Sequence, residues 1–286
     1  IYANRVANAL STRTADEFAK AQNTYHIWAD ISKNWNTFSN MNGQQYLSIL
    51  GADKQIAPQR RFGFYLGYGK NNFSGTNQSA ELKDLRLGVY HSQQNGTWNY
   101  LTQLAYGHQN NDTTRMLPTL GLKADGRFGS DLVAASFQAA QTSAKQNSWA
   151  LLPYFNAEVS YYKQQAYQES GASVYGHNVH SQSGVYATVG AGVGLQRLVD
   201  KLALKATLGY KRVLLGNDPT LTYSYAGNAA QSYTENNSKI GRDYLTAGLS
   251  AAGQIAPNTN LQFEAALERA KGHTYKMFSA NIVWSF

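Results

Sequence analysis

The sequence predicts an all-β fold: a transmembrane antiparallel β-barrel of about twelve strands, with an α-helix at the N-terminus lying in its lumen. Three observations predict it. Segments of period-two alternation follow one another from Tyr25 to the end of the chain. The breaks between them are short at one end of the strands, and several are long and polar at the other. The final segment is an apolar stripe that ends on Phe286.

Composition agrees. Hydrophobic residues make up 43% of the 286, yet mean hydropathy is negative, and the chain holds 20 Tyr and 25 Gly against 5 Pro. Aromatic enrichment with little proline favours strands. No run approaches the roughly 18 apolar residues a spanning helix needs. A membrane barrel needs none, because its strands alternate lipid-facing and lumen-facing residues and averaging hides the apolar band. The absence of cysteine excludes a disulfide framework and thiolate metal sites. A net charge of +8 and a pI near 9.4 could suggest nucleic acid, but the basic residues are scattered, so no nucleic-acid partner is expected. No signal-peptide pattern opens the sequence at Ile1, as in a mature fragment.

Residues 1–24 lack strand-like alternation. Helix propensity favours a helix over roughly 3–21, whose sparse, small apolar positions are interrupted by Arg5, Arg13 and Lys20. Such a surface suits a polar lumen better than a greasy core. Two units are therefore expected: a linker or plug helix over 1–24 and an outer-membrane barrel over 25–286.

Strands are placed at 25–36, 43–56, 60–72, 79–93, 96–110, 125–144, 148–165, 179–198, 201–214, 239–256, 259–270 and 274–286. The alternation is plainest from Val185 to Leu195, where Val, Ala and Leu share one face and Tyr186, Thr188 and three glycines the other. Breaks after even-numbered strands are tight: Gln94-Asn95-Gly96, Gln146-Asn147, Asp200 and Pro257-Asn258-Thr259. The breaks 111–124, 166–178 and 215–238 are long and polar. A soluble sandwich has no reason to sort its loops this way, whereas outer-membrane barrels have short periplasmic turns and longer extracellular loops.

In the last strand Phe278, Ala280, Ile282, Trp284 and Phe286 share one face, and Ser279, Asn281 and Ser285 the other. Aromatic rings there suit the membrane interface. Outer-membrane proteins folded by the barrel assembly machinery end in this way, and Phe278, Ile282, Trp284 and Phe286 resemble their assembly signal.

A polar helix, about twelve alternating strands and a terminal aromatic together resemble the translocator (β) domain of single-chain, monomeric autotransporters, the type Va secretion class. The likeness is carried also by Leu50-Gly51-Ala52-Asp53, by Phe64-Tyr65-Leu66-Gly67-Tyr68-Gly69, by the glycine-rich run into Leu195-Gln196-Arg197, and by Trp284-Ser285-Phe286. It implies a monomeric barrel in the outer membrane of a Gram-negative bacterium, surrounded by outer-membrane lipid and lipopolysaccharide. It also implies export of a covalently attached N-terminal passenger to the cell surface. Any enzymatic activity, such as that of a serine protease, would belong to the passenger, and neither cofactor nor metal is implied. Some members cut their own linker, an asparagine amide attacking its own carbonyl with help from lumen acids. Asn4 and Asn8 are the linker asparagines available here, although a paired-asparagine junction is absent.

Alternation places Asp30, Asp84, Glu158, Glu264 and Glu268 in the lumen, with Asp30, Glu264 and Glu268 as the acids available to such a cleavage. The more ordinary role for these carboxylates is to pair with Arg5, Arg13 or Lys205. Lys20, Lys211, Lys201 and Arg86 complete the basic pore and plug residues. Two other functions fit a barrel. A passive porin would use the basic lumen residues to favour anions, but normally starts directly on its first strand. An outer-membrane phospholipase needs a nucleophile, base and orienting group within reach of one another. His180 and Ser181 point to opposite faces in a strand and read instead as a polar loop.

Overall fold

The computed structural model describes residues 24–38, 41–141, 148–216, 220–236 and 241–286. Its strands, in chain order, are β1 (Tyr25–Phe38), β2 (Met41–Ala57), β3 (Arg60–Ser74), β4 (Gln78–Asn95), β5 (Trp98–Leu117), β6 (Leu122–Gln141), β7 (Trp149–Gln164), β8 (Tyr167–Gln168) and β9 (His177–Val179). There follow β10 (Gln182–Val199), β11 (Leu202–Leu215), β12 (Thr220–Tyr225), β13 (Asn228–Asn236), β14 (Asp243–Ala256), β15 (Thr259–Ala270) and β16 (His273–Ser285). Twelve of them close a barrel in the order β1-β16-β15-β14-β11-β10-β7-β6-β5-β4-β3-β2. The remaining four form a small sheet, β13-β12-β9-β8. All barrel pairs are antiparallel, and the closing pair β1/β16 runs in unbroken register from His26↔Ser285 to Phe38↔His273.

The distribution of side chains is the reverse of a soluble protein. On β1 the inward residues His26, Trp28, Asp30, Ser32, Asn34 and Asn36 are buried, while outward Ile31 is 62% exposed. Outward Leu50, Phe64, Leu87 and Leu249 are likewise exposed, whereas inward Gln45, Asp53, Asn71 and Gln103 are buried. An apolar outer wall around a polar interior is stable only where the outside is hydrocarbon. Among the described residues no helix is long and apolar enough to cross a membrane. Closure also satisfies every ladder and leaves no edge in lipid.

One end of the barrel carries two-residue turns: Pro58-Gln59, Gly96-Thr97, Asp200-Lys201 and Pro257-Asn258. Tyr25 and Phe286 lie at that same end. The predicted tight break Gln146-Asn147 lies outside the described residues. At the other end β5 and β6 extend as a long hairpin, and the connections 165–181 and 216–242 carry the small sheet. Two expectations are corrected here. Residues 111–124 are not a loop, since the β5/β6 ladder continues to Leu117↔Leu122. The segment 215–238 contains β12 and β13, and 166–178 contains β8 and the start of β9. Their few apolar residues, such as buried Val179 and Tyr223, pack within the small sheet, so these strands lack the long one-sided apolar stripe that marks a strand in lipid. Cross-strand bonds such as Thr114 Oγ1 to Asp125 Oδ1 (2.7 Å) and Arg127 Nε to Asp112 Oδ1 (2.6 Å) support the hairpin instead.

The polar wall of the barrel lumen

Strand parity decides what faces the lumen. Asp30, Asp84, Glu158, Glu264 and Glu268 all point inward, as alternation predicted, and so do Lys205, Lys211 and Arg86. Asp30 stands in register with Asn281, and Glu264 with Ser279, so both acids open on a strip of small polar side chains near the closing seam. Lys211 Nζ pairs with Glu268 and lies 4.8 Å from the centre of the Tyr244 ring. Lys205 shares a cross-strand row with Ser250 and Glu264. Arg86 Nη2 meets Asp84 Oδ2 at 3.3 Å. Glu158 sits between Ser136 and Thr188. Lys201 differs from expectation: it occupies the β10–β11 turn at the rim, because the strand begins one residue later at Leu202. Asn4, Arg5, Asn8, Arg13 and Lys20 lie outside the described residues.

A more closely knit group lies toward the tight-turn end. Cross-strand pairing sets His26 opposite Asp53, and Gly63 between Asp53 and Tyr90. Arg61 Nη1 donates to Asp53 Oδ1 at 3.2 Å and also contacts His26, whose Nδ1 is 3.1 Å from the same oxygen. The Tyr90 hydroxyl donates to Asp53 Oδ2 at 2.7 Å and accepts from Trp28 Nε1 at 2.8 Å. The side chains of Arg61, Asp53 and His26 are at most 2% exposed. Such a buried charge is tolerable because it is paired and hydrogen-bonded at once. Sequence reasoning singled out Leu50-Gly51-Ala52-Asp53 as a motif but assigned Asp53 no role. The available signal was parity, since Asp53 shares the inward face of Ile49 and Gly51. Nothing local distinguishes His26 or Arg61.

The outward row at the C-terminus is as expected: Phe278 and Phe286 are exposed, and Phe278 stacks on Phe263 with ring centres 6.3 Å apart. No Ser–His pair forms around His180, whose backbone N–H donates to Thr222 O at 3.0 Å within the loop sheet. Among the described residues no three acid or histidine side chains gather as a metal site.

Fold and wall together define a class: a single-chain outer-membrane-type barrel of twelve strands with a polar, charge-paired interior. The autotransporter beta-domain family matches residues 23–266, and the chain belongs to that family. The chain is similar to the translocator domain of the autotransporter NalP from Neisseria meningitidis, with TM-score 0.77, 18% identity, and 99% of this chain and 98% of that one covered. The beta domain of the Bordetella autotransporter BrkA aligns with TM-score 0.66 and 14% identity over 91% of this chain and 98% of that one. The transport unit of AIDA-I from Escherichia coli aligns with TM-score 0.63 and 14% identity over 100% and 97%. No curated protein matches the sequence. The domain is thus an outer-membrane anchor of a Gram-negative bacterium that supports export of an N-terminal passenger, and the porin reading falls away.

Proposed function

We propose that residues 1–24 thread the lumen once the passenger is outside, so that the same segment that led export closes the pore at rest. The observation that carries this reading is the inward wall: acids and bases on nearly every side of the barrel, including Asp30, Asp84, Glu158, Glu264, Lys205 and the Lys211–Glu268 pair. A polar segment bearing Arg5, Arg13 and Lys20 finds partners on such a wall; an apolar one would not. Lumen diameter grows with strand number, and at twelve strands a single helix fills much of the width. The 1–24 segment is therefore a plug and 25–286 the barrel that holds it. The barrel works as a monomer amid lipopolysaccharide and is inserted by the assembly machinery through its C-terminal strand.

Planar-bilayer recordings test the plug. Deleting residues 1–24 gives a larger and steadier conductance than the whole chain. Equal conductance from both would sink the reading, because the segment would then obstruct nothing.

A further inference from the structure

Outside the lumen, one part of the outer wall has its own chemistry. Lys33, Tyr46, Lys70 and Lys83 are successive cross-strand partners on β1, β2, β3 and β4. All lie on the outward face, toward the loop-bearing ends of their strands. The Lys33 ammonium rests 5.2 Å from the Trp35 ring centre and 5.1 Å from that of Tyr46. One step further toward the loops, exposed Lys276 of β16 pairs in register with Trp35. A single acid, Glu81, joins Lys70 (2.8 Å) to Lys83 (3.0 Å), and both lysine side chains stay about two-fifths exposed, at 40% and 45%. Immediately below come Ile31, Tyr68, Leu66, Leu85 and Leu87, all exposed to the bilayer.

Elsewhere on the loop-side rim several cations meet acids: His108 with Asp131 at 2.8 Å, Arg127 with Asp112 at 2.6 Å, and Arg212 with Asp243 at 3.6 Å. Across β16 and β1–β4, four lysines face Glu81, and Asp112, opposite Glu81 on β5, is held by Arg127. Above an apolar band, interfacial aromatics with surplus ammonium groups attract anionic headgroups. We propose that this part of the outer wall docks the phosphate-bearing headgroup of an outer-leaflet glycolipid of the lipid A type. Lys33, Lys70 and Lys83 hold its phosphates, and its acyl chains lie along Ile31, Leu66, Leu85 and Leu87. The inference rests on the reading that lipopolysaccharide surrounds the barrel.

Native mass spectrometry of the whole chain in detergent tests it, with bisphosphorylated lipid A, its dephosphorylated form and phosphatidylglycerol as probes, and inorganic phosphate as competitor. Bisphosphorylated lipid A is retained, and on the order of tenfold more weakly by the variant K33Q/K70Q/K83Q. A control variant K54Q/R60Q/K201Q, which removes the same charge from the tight-turn end, binds as the unaltered chain does. Heat-modifiable migration in gels shows that each variant is folded; single K70Q and K83Q variants serve if the triple one is not. Equal retention by the triple variant would overturn the site, as would equal retention of phosphatidylglycerol or displacement by free phosphate. Failure of the unaltered chain to retain lipid A would overturn the lipid site alone, since pore closure is read separately by conductance.

Discussion

Trp28 and Tyr90, 62 residues apart in sequence, are joined inside the barrel by a 2.8 Å bond from the indole nitrogen to the phenol oxygen. The bond ties β1 to β4 over the two strands between them. It is possible because glycine lies beneath each ring: a Cβ built on Gly51 would come within 2.3 Å of the Trp28 ring, and one on Gly63 within 2.4 Å of Tyr90. Gly51→Val therefore displaces the indole and prevents the four strands from closing together; the variant loses heat-modifiable migration after refolding in detergent. Tyr90→Phe keeps the ring but leaves a buried N–H and a carboxylate oxygen without this hydroxyl, a cost of about 1–3 kcal/mol. Urea unfolding in micelles that gave the same midpoint for Tyr90→Phe as for the parent would refute this.

Arg61 carries the next prediction. Its guanidinium is buried beside Asp53, 3.2 Å from the carboxylate, and the aspartate side chain has no exposure. Arg61→Met retains bulk but withdraws the full positive charge from a buried carboxylate. Breaking a buried pair from one side destabilises by about 3 kcal/mol. The double variant Arg61→Met, Asp53→Asn recovers part of that loss, because no uncompensated charge remains. A double-mutant cycle in urea that shows simple additivity would mean the two side chains do not interact energetically.

The contrast between Asp84 and Asp53 shows what the sequence could reveal. Parity alone puts Asp84 in the lumen, and the same parity puts Asp53 there. What makes Asp53 special is the convergence of β1, β3 and β4 on β2, with partners at His26, Arg61 and Tyr90. Such convergence depends on register between strands, which no single segment encodes. Strand existence in the membrane zone was legible for the opposite reason: lipid imposes a one-sided apolar stripe on every crossing. Where β5, β6, β12 and β13 stand in water that constraint lapses, and Thr113, Thr114 and Ser232 look like loop residues. The outer lysine row was invisible because Lys33, Lys70 and Lys83 are isolated charges until pairing sets them in one cross-strand row with Tyr46.

Acid should loosen the loop sheet. His177 of β9 is buried, stacks on Tyr223 with ring centres 3.8 Å apart, and meets the edge of Tyr225. Its backbone N–H donates to Glu169 Oε2 at 2.9 Å, and Arg115 Nη2 holds the same oxygen at 2.5 Å. Burial, and then the Arg115 charge, push the imidazole below its ordinary value of 6.5, against a weaker upward pull from Glu169 and Glu235. Burial raises the neighbouring Tyr223 phenol, so that group stays protonated throughout. With the folded value depressed, the opened segment binds a proton first. Sheet stability is therefore complete above pH 6.5 and declines as pH falls from there through the folded value. Amide protection in β9 and β12, corrected for the intrinsic pH dependence of exchange, should be lower at pH 5 than at pH 7.5, and the difference should shrink in His177→Gln. Identical protection at both pH values would refute the linkage.

The last prediction separates two roles of the C-terminal residue. Phe286 N–H donates to Tyr25 O at 2.9 Å and Tyr25 N–H to Phe286 O at 3.2 Å, so the backbone of the final residue helps to close the barrel. Its side chain, 70% exposed, adds nothing to that ladder. If the ring serves recognition during assembly, Phe286→Ala leaves the refolded barrel about as stable in detergent, since an exposed substitution away from special features costs within about 0.5 kcal/mol. Insertion in cells, followed by protease shaving of the exported passenger, falls markedly for the same variant. Deleting Phe286 removes both backbone bonds as well and lowers stability and insertion together. Should Phe286→Ala insert at the parental rate, the ring would be an interfacial anchor alone, and the recognition would have to reside in Phe278, Ile282 or Trp284.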